Sequence, residues 1–199
     1  DPACGCGNFL VIAYRELRLL ELDVLRELYR KKHTRLLDVG QLASLDVDQF
    51  HGIEIEEFPA QIAQVALWLT DHQMNLRLSE EFGKYFHRLP LKKAPHIVHG
   101  NALTLDWGNV ISPMGLTYIV GNPPFVGAKY MNDQQRAETA AVFKGTASAG
   151  LLDYVACWYR KATEYMAGNP TIRAAFVSTN SIAQGEQPGV LWPDLFKRN

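Results

Sequence analysis

The 199-residue sequence has few cysteines, almost no net charge and no long apolar run. Its three cysteines, Cys4, Cys6 and Cys157, are too few and of the wrong parity for a disulfide framework, which points to a reducing, cytoplasmic setting. Cys4 and Cys6 flank a glycine with no His or Cys cluster nearby, so no metal site is expected. No apolar stretch approaches the roughly 20 residues that a membrane helix needs. Asp1-Pro2-Ala3-Cys4 lacks the charged-then-apolar order of a signal peptide, and without an initiator Met the chain reads as a piece of a larger protein. Twenty Lys and Arg against 21 Asp and Glu leave a net charge of −1. Basic residues gather only in Arg30-Lys31-Lys32-His33 with Arg35, and in Lys92-Lys93; these read as a solvated helix end and a loop. A nucleic-acid binder often carries a basic face, so the charge balance argues against this segment gripping nucleic acid alone.

What is present is an ordinary globular composition, 47% apolar and 21% charged, enough for one domain over residues 1–199 with a real core. The chain has no repeats. Asn8 to about Leu28 reads as a helix, with Leu17, Leu20, Val24, Leu25 and Leu28 near a 3.6-residue period. His51–Ile55 is a short strand candidate. Glu56 to about Leu78 reads as a helix with Ile62, Val65, Ala66 and Leu69 as its apolar face and Pro59 in its first turn. His96–His99 and Thr117–Val120 are further strands, Leu151–Met166 a strong helix and Ile172–Ser178 a buried strand. Strand and helix in alternation predict an α/β fold, a mostly parallel sheet with helices on both faces. Ligands of such folds sit at the carboxyl ends of the strands, so the residues after each strand carry the functional reading.

The chain opens Asp1-Pro2-Ala3-Cys4-Gly5-Cys6-Gly7-Asn8-Phe9 and runs straight into a helix. Gly5 and Gly7 permit backbone angles closed to other residues, and a helix N-terminus offers free N–H groups. A glycine pair alone is also an ordinary tight turn. The full string is more specific. It resembles the first motif of class I S-adenosylmethionine-dependent methyltransferases, in the Asp-Pro-Ala-Cys-Gly-Ser-Gly-x-Phe form of adenine-N6 DNA methyltransferases. Cys6 departs from the usual Ser and is a poorer hydrogen-bond partner. The resemblance implies a Rossmann-like fold, truncated at both ends, and a cofactor held by Asp1, Pro2, Ala3, Cys4, Gly5, Gly7, Asn8 and Phe9. It also implies a strand leading into Asp1. Nucleoside cofactors on this fold are commonly held by an acid after the second strand; Glu54 fits, with Ile55 offering an apolar face to the adenine ring. Equally, Glu54 and Glu56 suit the start of the next helix. After the third strand, Asn101 stands where the family bonds the adenine amino group and Ala102 beside the ring, although Gly100-Asn101 also suits a plain turn. The stretch from about Arg18 to Gln49 reads as an elaboration between the first helix and the second strand.

Gly121-Asn122-Pro123-Pro124-Phe125 closes a strand about 115 residues after Gly7. Two prolines stiffen the backbone, so the turn aims a side chain without losing entropy on binding. Asn122, Pro123, Pro124 and Phe125 match the Asn-Pro-Pro-(Tyr/Phe) motif of adenine-N6 methyltransferases in full. The resemblance implies that the Asn122 side chain and the Pro123 carbonyl accept the N–H bonds of an adenine amino group, and that Phe125 stacks on a base flipped out of duplex DNA. Leu151-Leu152-Asp153-Tyr154 resembles the fifth motif, with Asp153 a buttress of the catalytic turn or simply a helix-start acid. Ala174–Ile182 resembles the sixth, with Asn180 and Ser181 toward the site. Cys157 reads as core. Gly52–Phe58, Ala66–Leu69 and Gly121–Gly127 together look like the MmeI-like type IIG/IIL restriction-modification enzymes. That likeness implies a catalytic core separated from a nuclease and from the recognition domain that supplies sequence specificity. The parent is expected to be active, whereas the isolated piece, lacking the fold's first and last strands, is not expected to turn over on its own. Two alternatives stay open. Protein-glutamine N5 methyltransferases share the Asn-Pro-Pro turn but usually carry Asp-x-Gly-x-Gly and Tyr, and a non-catalytic scaffold would keep the fold. A dinucleotide-dependent dehydrogenase is excluded, because Leu10 occupies the third glycine position of Gly-x-Gly-x-x-Gly.

Overall fold

The computed structural model describes residues 1–32, 43–82 and 94–198. Five α-helices and four short strands are present among them: α1 Asn8–Lys32, β1 His51–Glu54, α2 Glu57–Phe82, β2 His96–His99, β3 Tyr118–Gly121, α3 Asp133–Val142, α4 Ala156–Met166, β4 Arg173–Phe176 and α5 Gln187–Phe196. β1 pairs with β2 in parallel, from His51 opposite His96 to Glu54 opposite His99. β3 pairs with β4 in parallel, from Tyr118 opposite Arg173 to Gly121 opposite Phe176. The α/β class and the parallel pairing follow the sequence reading. The described strands form two two-stranded parallel sheets, β1 with β2 and β3 with β4. Asp1–Cys4, with Pro2 and Ala3 in a turn, runs alongside β1. It exchanges backbone hydrogen bonds with β1, from Ile53 N–H to Asp1 O at 3.0 Å and from Cys4 N–H to Ile53 O at 3.1 Å. On its other side Asp1 Oδ1 lies 2.6 Å from where a Cβ on Gly121 would stand.

α1 and α2, of 25 and 26 residues, pack side by side and in parallel over β1 and β2. At 1.5 Å per residue each is close to 40 Å long, about three times the length of a four-residue strand. Their contact faces are not those of the hydropathy pattern. In α1 the buried residues are Leu10, Tyr14, Arg18, Leu22 and Leu25, while Leu17, Leu20, Val24 and Leu28 are exposed. In α2 Ala60, Ala63, Leu67, Thr70, Asp71, Met74, Asn75 and Leu78 are buried, while Val65 and Leu69 of the expected face point to solvent. The reason is a buried polar ladder on the shared face. Tyr14 Oη donates to Asp71 at 2.5 Å, Asn75 Nδ2 donates to Asp71 at 3.0 Å, and Arg18 donates to Asn75 Oδ1 at 2.7 Å and to Leu45 O at 2.8 Å. A buried polar group is tolerable only when satisfied, and these satisfy one another. Polar residues therefore occupy the face that hydropathy assigns to water.

The main core lies beneath β1 and β3 and includes Ile53, Ile119, Trp107, Phe143, Leu152, Trp158 and Leu191. A second cluster (Cys4, Leu10, Tyr14, Ala63, Leu67, Ile97) joins α1 and α2 to β1 and β2. Cys157 is wholly buried, as read. The expected helix at Leu151–Met166 starts late. Ala149–Leu151 is a single 3-10 turn, Leu152 is extended at ψ 136°, and α4 begins only at Ala156. The expected buried strand at 172–178 pairs only over Arg173–Phe176, and Arg173, Ala174 and Ala175 are exposed; Ile172, just outside it, is the buried residue. β4 is an edge strand with only β3 beside it, so its side chains keep contact with solvent. α3 and α5 were not foreseen. α3 carries a capping box, Asn132 with Gln135, and α5 a proline at its start, both local signals of a helix N-terminus. The basic residues His33, Arg35, Lys92 and Lys93 lie outside the described residues. Among the described residues no helix is long and apolar enough to cross a membrane.

Candidate active site

The carboxyl ends of β1 and β3 and the loop leading into α1 meet at one place. Gly5 and Gly7 both adopt positive φ, at 54° and 84°. Gly7 is needed twice over, since a Cβ there would stand 3.0 Å from the Cβ of Ala63 on α2. Its N–H donates to Cys4 O at 2.8 Å, and its carbonyl accepts the first turn of α1 from Val11 at 2.8 Å. Glu54, the last residue of β1, turns back onto this loop. Gly5 N–H donates to its Oε2 at 2.7 Å and Glu56 N–H to its Oε1 at 3.1 Å. The Glu54 carboxylate is thus fixed by two backbone donors and retains lone pairs for a further donor such as a hydroxyl. Ile55 beside it is 51% exposed, an apolar surface open to a ring. Gly5 and Glu54, 49 residues apart in sequence, are joined directly.

Pro2 is anchored from the other side of the molecule, where Trp158 Nε1 on α4 donates to its carbonyl at 3.0 Å. Cys4 is buried, and burial pushes its thiol up to about 11, so it is held neutral in the core beneath the loop. Cys6, Asn8 and Phe9 are exposed at the loop and the start of α1. Asn101 is already engaged. Its Oδ1 accepts Leu103 N–H and its Nδ2 donates to Glu138 on α3, both at 2.8 Å. Ala102 is 4% exposed in the core, its carbonyl bonded to the Trp107 indole at 2.8 Å. Glu54 and Ile55 therefore face an open position, whereas Asn101 and Ala102 sit within hydrogen-bonded packing.

At the end of β3, Pro123 is fully buried while Asn122, Pro124 and Phe125 are exposed, Phe125 by 46%. Burial of one proline roots the turn and leaves the Asn122 amide in the open. The turn is pinned where it leaves the core: Tyr154 N–H donates to Val126 O at 2.8 Å, and Ala128 N–H to Asp153 Oδ1 at 2.9 Å. Asp153 accepts Ser181 Oγ–H at 2.6 Å, and its own N–H donates to Gln187 at 3.0 Å. Asp153 is thus a brace of the turn, and Ser181 reaches it while Asn180 is exposed. Sequence reading missed Trp158, Glu138 and Gln187. None lies in a recognisable motif, and each is brought to the site only by folding. A cavity of about 370 Å³ between α4, β4 and α5, lined by Tyr159, Met166, Phe176 and Trp192, lies outside this arrangement.

The model of one protein family, described as the MmeI DNA-methyltransferase domain, matches residues 1–199. The chain belongs to that family. DNA methyltransferase A of Bacillus subtilis (strain 168) is 38% identical over 200 residues, which cover 99% of this chain and 22% of that protein. A solved structure of the type IIL restriction-modification enzyme MmeI in complex with DNA is 59% identical, with a TM-score of 0.92 over 99% of this chain and 26% of that one. The chain thus spans about a quarter of the length of these relatives.

Proposed function

We propose that this domain transfers a methyl group from S-adenosylmethionine to the N6 amino group of a flipped-out adenine in DNA, as the modification part of a cytoplasmic restriction-modification or phage-defence enzyme. The carrying observation is the junction of cradle and turn. Asp1 abuts Gly121, so the glycine loop and the exposed Asn122 belong to one site. Residues 1–199 act as one Rossmann-like methyltransferase core in this reading. The segment Asp1–Cys4, bonded to β1 and touching β3, supports a single sheet that continues through it. DNA sequence specificity comes from segments of the parent beyond this domain. The solved relative, an enzyme in complex with DNA, supports DNA as the substrate.

The residues fit the cofactor. Two glycines at positive φ let the backbone come close, and the pinned Glu54 carboxylate retains acceptor capacity for ribose hydroxyls. Bound there, S-adenosylmethionine supplies a methyl group already activated on a sulfonium. The protein's task is then placement. The lone pair of an adenine amino nitrogen is delocalised into the ring, so the nitrogen is a poor nucleophile. Asn122 Oδ1 and the Pro123 carbonyl accept its two N–H bonds and favour a tetrahedral nitrogen, and Phe125 holds the base by stacking. The new N–C bond takes the nitrogen lone pair, the C–S electrons stay on sulfur, and one N6 proton leaves to water. The test gives labelled S-adenosylmethionine and mixed-sequence duplex DNA to the protein that carries this domain, followed by digestion to nucleosides. Label in N6-methyladenine, lost in Asn122→Ala, is the expected result. A folded, cofactor-binding protein that leaves DNA unlabelled would overturn the reading.

A further inference from the structure

The turn just beyond the catalytic segment carries side chains that this chemistry leaves idle. Ala128–Tyr130 is one 3-10 turn, fixed by Tyr130 N–H to Gly127 O at 2.8 Å and by Ala128 N–H to Asp153 at 2.9 Å. From α3, Arg136 donates to the Lys129 carbonyl at 3.2 Å. Here Tyr130 is 85% exposed, and Lys129 and Arg136 are exposed as well. The Tyr130 ring lies over bare backbone: a Cβ on Gly127 would stand 3.4 Å from its Cδ2. Between Phe125 and Arg136 the chain thus presents two exposed rings and two cations against one acid, Asp133. In a chain of net charge −1 this is a local basic, aromatic stretch that follows Asn122 closely in the sequence.

Extruding a base leaves a gap in the stack and distorts the flanking backbone. A rigid exposed ring next to a cation matches both consequences, because every base offers a π-face and every phosphate a charge. We propose that Tyr130 stacks against a base adjoining the extruded adenine, and that Lys129, with Arg136 behind it, pairs with a phosphate of the same strand. The inference rests on DNA being the substrate.

The experiment uses the protein that carries this domain and a duplex with 2-aminopurine at the methylated position, once labelling has mapped it. Tyr130→Ala raises KM for DNA about tenfold and lowers the 2-aminopurine signal on binding, with cofactor affinity and kcat at saturating DNA little changed; Tyr130→Trp restores both. Lys129→Gln lowers the slope of log affinity against log salt by about one. Wild-type KM and signal in Tyr130→Ala overturn the inference while leaving the proposed function standing. So does loss of cofactor binding in Tyr130→Ala, which would make the turn a structural support. A wild-type protein that labels no DNA removes both readings together.

Discussion

Alanine at Gly7 tests the junction of loop and helix most directly. Gly7 sits at φ 84°, and the added Cβ would lie 3.0 Å from Ala63 Cβ and 3.1 Å from its Cα. Ala63 is wholly buried, so relief requires α2 to move. Placing an L side chain in the left-handed region costs about 1–2 kcal/mol. Overpacking against a buried neighbour adds about 1–3 kcal/mol. Gly5→Ala is the built-in control: its φ is 54°, and a Cβ there would meet nothing within 4 Å. It bears only the first cost. In a domain of this size each kcal/mol lowers Tm by about 2–4 °C. Gly7→Ala should therefore melt about 4–20 °C below the parent and Gly5→Ala about 2–8 °C below. Calorimetry on both, with urea midpoints as a second measure, decides the matter. Equal losses would show that contact with α2 contributes nothing, and the account of Gly7 would fall.

Glu54→Gln keeps an acceptor for only one of the Gly5 and Glu56 N–H groups and turns an NH2 toward the other, so it should lose about 1–3 kcal/mol in urea unfolding and weaken S-adenosylmethionine binding about tenfold, read by titration calorimetry. Asp153→Asn can keep its oxygen on Ala128 N–H and donate to Ser181, so it should lose little stability. Asp153→Ala strands both partners and should lose about 1–3 kcal/mol in urea unfolding. His51 stacks on His96 with ring centroids 4.8 Å apart. Burial first, then the charge of His96, hold its pKa down from 6.5 to about 4. Below pH 6.5 the unfolded chain takes up a proton that the folded chain refuses, so stability is full above about 6.5 and declines as pH falls toward 4. Urea midpoints between those limits should fall less steeply in His51→Phe; identical slopes would count against a buried neutral ring.

The sequence was legible where chemistry is written in contiguous residues. Asp1–Phe9, Glu54 and Asn122–Phe125 stand at the ends of elements, where backbone constraint and motif coincide, and the fold brings them together. It was illegible where tertiary contacts decide. The packing faces of α1 and α2 were misread because Arg18, Asp71 and Asn75 are buried as mutual partners, which hydropathy scores as solvent-facing. The late start of α4 has the same origin: Asp153 and Tyr154 hold the segment after Phe125 rather than a first helical turn. The spent hydrogen bonds of Asn101 depend on Glu138, which no local pattern connects to it.

The bond from Trp158 to Pro2 spans 156 residues. Contacts so remote in sequence close late in folding, because loop-closure entropy must be met first. The glycine loop therefore acquires its final anchor only when α4 has docked, which makes the cradle a reporter of completed folding rather than an early local structure. In a refolding experiment, burial of the Trp158 indole and the onset of cofactor affinity should share one time constant.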